Sequence, residues 1–126
     1  MKRALPYLAL AVLLFVGFRV FFGGGERASS GTVVEAIESG AQVIDVRSDG
    51  EWAQGHVAGA LHVPVGAADF EARVDGLDRS EPVYVYCASG VRSGRAARTL
   101  EGMGFERVVN AGGLSALAAA GAPVER

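Results

Sequence analysis

Cys87 is the one cysteine of the chain; it ends the run Val83-Tyr84-Val85-Tyr86 and precedes Ala88-Ser89-Gly90-Val91-Arg92-Ser93-Gly94. A strand-type segment ending on a thiol, then a short glycine-containing loop, then a helical pattern, sets one sulfur above a bowl of N–H groups at a helix N-terminus. Such a bowl stabilises a thiolate and holds anionic ligands. A solitary cysteine is otherwise an ordinary small hydrophobe; the loop behind Cys87 sets it apart. Gly90 permits a turn that a β-carbon would obstruct. Arg92 and Arg95 offer guanidinium groups to an anion, although Arg92 is equally placed to pair with Asp45 or Asp49 at the neighbouring strand end.

The thiol has no resolving partner in the chain. Neither a Cys-x-x-Cys redox pair nor a multi-thiolate zinc site can form. No metal-ligand spacing or glycine-rich nucleotide loop appears, so neither metal nor cofactor is expected. A phosphatase loop of the Cys-x5-Arg type needs arginine six positions after the cysteine, where this chain has Ser93. Arg92 comes one residue early, and a loop tightened by one residue suits a sulfur atom better than a phosphoryl group. His56 and His62 read as structural, Trp52 as core, and Glu38, Glu51 and the acids from Asp69 to Glu81 as solvated or helix-terminal charges.

The elements that must position the thiol follow from hydrophobic period and turn chemistry. Thr32-Val33-Val34-Glu35 is a capping-box pattern opening an amphipathic helix that ends near Gly40. Gln42 to Val46 reads as a buried strand. Ser48-Asp49-Gly50-Glu51 starts a second, brief helix that stops at Gly55. Ala60 to Pro64 is a short strand, and Asp69 to Val74 has weak helical character. After Val83–Tyr86 and the cysteine loop, a helix beginning near Ser93 carries Ala96, Ala97, Leu100 and Met103 on one face up to Gly104. Arg107 to Asn110 is a strand, and Leu114 to Ala120 an alanine-rich helix. This alternation predicts a single α/β domain, a central parallel sheet with helices on both faces. Active crevices in such sheets lie at the carboxyl ends of strands, where Cys87 stands.

Half of the 126 residues are apolar and 21% charged, which suits one packed domain with a short appendage. Residues 31–126 carry eight arginines against thirteen acids, a formal charge of −5. That excess argues against a nucleic-acid surface, so an anionic substrate must be held locally. Residues 1–30 read as an N-terminal signal-anchor or signal peptide plus a glycine-rich linker. Lys2 and Arg3 precede an apolar run from Ala4 to Phe22 interrupted by Arg19, and Gly23-Gly24-Gly25 follows. No clean Ala-x-Ala site is present, and Phe21 and Phe22 resemble an interface anchor. The expectation is an uncleaved N-terminal apolar helix holding the domain at the membrane outside the cytoplasm, with a cleaved leader and a periplasmic or secreted domain as the alternative.

Cys87-Ala88-Ser89-Gly90-Val91-Arg92-Ser93 resembles the active-site loop of single-domain rhodaneses. Val43-Ile44-Asp45-Val46-Arg47, Glu51-Trp52 and Gly55-His56-Val57-Ala58-Gly59-Ala60 resemble the family's upstream signature. Gly102-Met103-Gly104-Phe105 and Asn110-Ala111-Gly112-Gly113-Leu114 match its closing segment. With an export segment in front, the chain is similar to the periplasmic phage-shock-protein-E type. The resemblance implies a thiosulfate sulfurtransferase with Cys87 as the nucleophile that carries sulfur as a persulfide. Ala88, Ser89, Gly90, Val91 and Arg92 would bind the transferred group, and Asp45, Arg47 and Ser93 would brace the loop. It also implies a small anionic donor such as thiosulfate and a thiol or cyanide acceptor. The alternative is a non-catalytic rhodanese-fold module that binds a partner or senses persulfide. Two positions depart from the family pattern: Ala88 stands where many members carry Arg or Lys, and Leu117 where many carry an aromatic.

Overall fold

A computed structural model describes residues 24–126. Among them, strands β1 (Glu26–Arg27), β2 (Gln42–Asp45), β4 (Leu61–His62), β5 (Val83–Cys87) and β6 (Val108–Gly113) form one sheet in the order β1-β6-β5-β2-β4. Every pairing in it is parallel. The crossovers carry α1 (Ser30–Glu38), α2 (Asp49–Gln54), α3 (Phe70–Val74) and α4 (Val91–Gly102), and α5 (Leu114–Ala119) follows the last strand of the sheet. β3 (His56–Val57) and β7 (Val124–Glu125) make a separate antiparallel pair, which the sequence patterns do not announce because each strand is only two residues long.

Side-chain alternation assigns the two faces. On β5, Val83, Val85 and Cys87 join Ile44, Val108 and the apolar side of α4, Ala96, Ala97 and Leu100. Tyr84 and Tyr86 point the other way and pack with Val43, Val109 and Leu117, under α1 and α5. The face count of β5 therefore decides that the thiol lies beneath α4, the helix that its own loop begins. Leu117, the family's aromatic position, is fully buried in the opposite layer.

Local signals set most boundaries. Ser48 and Glu51 form the expected capping box, and Gly55 ends α2. At α1 the cap is Ser29 rather than Thr32: its Oγ accepts from the Thr32 amide, so the helix starts a turn earlier than its pattern suggests. α4 begins at Val91 instead of near Ser93. Gly24 and Gly25, grouped with the leader and linker by composition, lead into β1, whose Glu26 and Arg27 pair with Val109 and Asn110. The apolar run of residues 4–22, read as an N-terminal helix, lies outside the described residues. Among the described residues no helix is long and apolar enough to cross a membrane.

Candidate active site

Cys87 is fully buried at the carboxyl end of β5. Gly90 has φ +93, a left-handed turn that swings its amide back to donate to Sγ at 3.0 Å. Burial alone would push the thiol up. The hydroxyl and amide of Ser93 and the amides of Ser89 and Gly90 outweigh it and bring the thiol down to about 7. Half of the sulfur is then thiolate near neutral pH.

Ser93 Oγ lies 3.5 Å from Sγ and donates to Asn110 Oδ1 at 2.7 Å. A hydroxyl has one proton, so the two acceptors compete for it. Beside a protonated thiol, S–H donates to Oγ and the hydroxyl proton stays with Asn110. Beside a thiolate, the hydroxyl can turn to the sulfur, and Oδ1 still accepts from the Gly112 amide at 3.1 Å. Asn110 Nδ2 meanwhile donates to Gly90 O at 2.9 Å, so one buried amide side chain holds both the loop and the serine.

This arrangement depends on an irregularity in the sheet. Val85 pairs with Asn110, but Cys87 pairs with Gly113, so β6 spends one more residue than β5 over the same stretch. The bulge turns the Gly112 amide onto Asn110 and seats Gly113 against the loop. A β-carbon on Gly113 would lie 2.1 Å from Ala88 O. Gly113 is thus needed for close approach, and Gly112, at φ +80, for the turn that precedes it.

Arg92 does not pair with Asp45 or Asp49. It forms a bidentate ion pair with Glu51, Nη1 to Oε1 at 2.6 Å and Nη2 to Oε2 at 2.9 Å. Arg92, then the Ser48 contacts, hold the Glu51 carboxyl at about 2 against modest desolvation. The Arg92 charge is strengthened first by Glu51 and further by the Cys87 thiolate, which it faces. Glu51 is therefore more than a helix-terminal charge: it positions a guanidinium beside the sulfur.

Asp45 and Arg47 brace a different place from the one the resemblance implies. The Arg47 guanidinium grips both Asp45 oxygens, at 2.7 to 3.1 Å, and donates to Gly55 O at 2.6 Å. The Tyr86 hydroxyl donates to Asp45 Oδ2 at 2.6 Å and accepts from the Val57 amide at 2.9 Å. Burial, together with the Asp45 carboxylate, pushes the Tyr86 phenol up. This network fixes the residue before Cys87 from the α1 and α5 face; residues 88–93 are held instead by Asn110 and Glu51. Trp52, expected in the core, is only partly buried. It stacks on His56 at 3.4 Å and on His62 at 4.7 Å. His56 Nδ1 donates to Trp52 O and His62 Nε2 to Arg47 O, so both histidines are structural and no Cys-His pair forms.

The structure thus gathers Cys87, Ser89, Gly90, Arg92 and Ser93 at one strand end, with Ala88 exposed on the loop and Val91 exposed at the helix start. Asn110 and Glu51 are the additions. A buried asparagine in an apolar strand demands partners, which was the available signal for the first. Glu51 carried none, since its capping role already accounted for it. No cluster of three or more metal-ligating side chains exists among the described residues.

Residues 29–120 match the family model described as Rhodanese-like domain. The chain belongs to this family. It is 38% identical over 68 residues to YrkF of Bacillus subtilis (strain 168), a stretch covering 54% of this chain and 36% of that protein. It is 39% identical over 75 residues to the thiosulfate sulfurtransferase PspE of Escherichia coli (strain K12), covering 60% of this chain and 72% of PspE. The chain therefore spans little more than a third of YrkF and about three quarters of PspE. Among solved structures, the Alr3790 protein from Anabaena sp. superposes with a TM-score of 0.68 at 30% identity, over 78% of this chain and 80% of that one.

Proposed function

We propose that this rhodanese-like domain transfers a sulfane sulfur through a persulfide on Cys87. The observation that carries the reading is the thiol held at about 7 by the Ser93 hydroxyl and three amides against burial that pushes the other way. A structural cysteine needs no such set of donors. In the first half-reaction the thiolate attacks the outer sulfur of thiosulfate, the S–S bond of the donor breaks, and sulfite leaves with the electron pair. The charge then sits on the outer persulfide sulfur, where the amides of loop residues Ala88 to Arg92 can hold it. In the second, cyanide or a thiolate attacks that sulfur and Cys87 leaves as thiolate. No proton transfer is required in either step; among the described residues Sγ has the Ser93 hydroxyl and the Gly90 amide as hydrogen-bond partners. Arg92, fixed by Glu51, supplies charge to the incoming dianion, a task that Ala88 cannot perform.

PspE, named as a thiosulfate sulfurtransferase, supports thiosulfate as the donor. The charges at Lys2 and Arg3 ahead of the apolar run support a domain held outside the cytoplasm. Mass spectrometry of the protein with thiosulfate should show a gain of one sulfur on Cys87, and N-terminal peptides from the same sample should retain Lys2 and Arg3 if the leader anchors the domain. Thiocyanate should form from thiosulfate and cyanide, and Cys87→Ser should abolish it. Undiminished thiocyanate formation in that variant would sink the reading; a mass gain without turnover would favour a persulfide-sensing module.

A further inference from the structure

A groove of about 310 Å3 adjoins the cysteine loop and is lined by Arg27 of β1, Arg95 and Arg98 of α4, Gly90 and Asn110. The Gly90 amide donates to Sγ and Asn110 holds the Gly90 carbonyl, so the groove and the thiol share Gly90 as a wall. Val91, 70% exposed, stands at its edge. Arg95 and Arg98 project from one side of α4, three residues apart. Gly24 lies beside the stem of Arg98, where a β-carbon would come within 2.5 Å of Cγ and displace that side chain.

Three guanidinium groups meet here in a chain whose residues 31–126 carry a net −5. No ion pair joins Arg27, Arg95 or Arg98 to a carboxylate among the described residues. The nearby acids are engaged elsewhere: Glu26 binds Arg107, and Glu101 accepts from the Gly25 amide. Clustered like charges repel, and a groove of this size is wider than thiosulfate needs but within the range of small-molecule sites.

We propose that this groove binds the anionic groups of the sulfur acceptor, a small thiol bearing two or more carboxylates or phosphates, and so selects the acceptor by charge. The inference rests on the sulfur-transfer reading above and names its acceptor class. With its anionic groups on Arg27, Arg95 and Arg98, the thiol end lies toward the Gly90 side of the groove. Its thiolate attacks the outer sulfur of the Cys87 persulfide, the Cys–S–S bond breaks, Cys87 leaves as thiolate, and the acceptor departs as its persulfide. No net oxidation or reduction occurs.

The test separates the two half-reactions in the full-length chain and in the variant R27Q/R95Q/R98Q. Persulfide is loaded with thiosulfate and sulfite release is followed; discharge is then timed with mercaptosuccinate, a dicarboxylate, and with neutral 2-mercaptoethanol. In the variant, kcat/KM for mercaptosuccinate should fall about tenfold, equivalent to about 1.4 kcal/mol. Discharge by 2-mercaptoethanol should stay within about twofold, since the groove adds nothing to a neutral acceptor, and sulfite release should fall less than mercaptosuccinate discharge, since Arg92 and the loop amides still meet thiosulfate. Replacement of the same three residues by lysine should restore most of the preference. Equal losses with both thiols, no loss with either, or a loss confined to sulfite release overturns the acceptor assignment while the sulfur-transfer reading stands. Failure of the wild-type chain to load sulfur at all overturns both.

Discussion

Replacing Ser93 by alanine removes one of the donors around Sγ and leaves the rest of the site satisfied. Asn110 Oδ1 keeps the Gly112 amide at 3.1 Å, and Nδ2 keeps Gly90 O, so no buried polar atom is orphaned. A hydrogen bond to a charged acceptor contributes about 1.5 kcal/mol, which corresponds to about one unit of pKa. The 3.5 Å separation and the competing Asn110 acceptor hold the effect to that lower end. The thiol should therefore rise from about 7 to about 8. At pH 7 the thiolate fraction falls from about one half to about one tenth, a loss of ~5-fold in kcat/KM for thiosulfate that disappears above about pH 9.5. Sulfite release measured across pH gives both midpoints. An unmoved midpoint, or a loss of the same size at every pH, would refute the assignment of Ser93 to the thiolate. The sign in stability follows from the same shift. The folded pKa lies below the unfolded value of about 8.5, so the thiolate stabilises the fold above about pH 8.5, and this is lost as pH falls through about 7. The stability difference between the wild type and Cys87→Ala, in which loss of the buried sulfur sets a constant offset, should be flat below that window and grow by about 2 kcal/mol across it.

Glu51→Gln should cost about 1 kcal/mol through the weakened capping box and the partly exposed ion pair, seen as a drop of about 5 °C in thermal unfolding. With Arg92 no longer clamped, KM for thiosulfate should rise more than kcat falls; an unchanged KM would mean that Arg92 takes no part in donor binding. Because the Glu51 carboxyl is depressed to about 2, its stabilising share is present above about pH 4.5 and lost as pH falls through about 2. Gly113→Ala should displace Ala88, whose carbonyl a β-carbon would meet at 2.1 Å. Sulfur loading should fall at least ~10-fold as the loop amides leave the sulfur; full activity would show that the loop tolerates the shift.

Several parts of the molecule were written in short stretches of chain. The strand ending at Cys87, the glycine turn after it, the Ser48–Glu51 cap and the period-2 alternation of β5 each depend on neighbours within a few residues, and the sequence alone determined them. It also determined that sulfur accepted by this thiol must leave to a partner from outside the chain, since no second cysteine exists. What holds the loop was decided only by the fold. Asn110 lies 20 residues from Gly90, and Glu51 41 residues from Arg92. Parallel strands are joined by long crossovers, so residues that meet at one end of the sheet are far apart in sequence and no local period links them. The same holds for β1: two residues carry too little pattern to mark a strand, and only the free edge of β6 makes them one. The thiol was legible because its chemistry is local; the groups that hold its loop and tune its charge belong to register and face, which exist only once the sheet has formed.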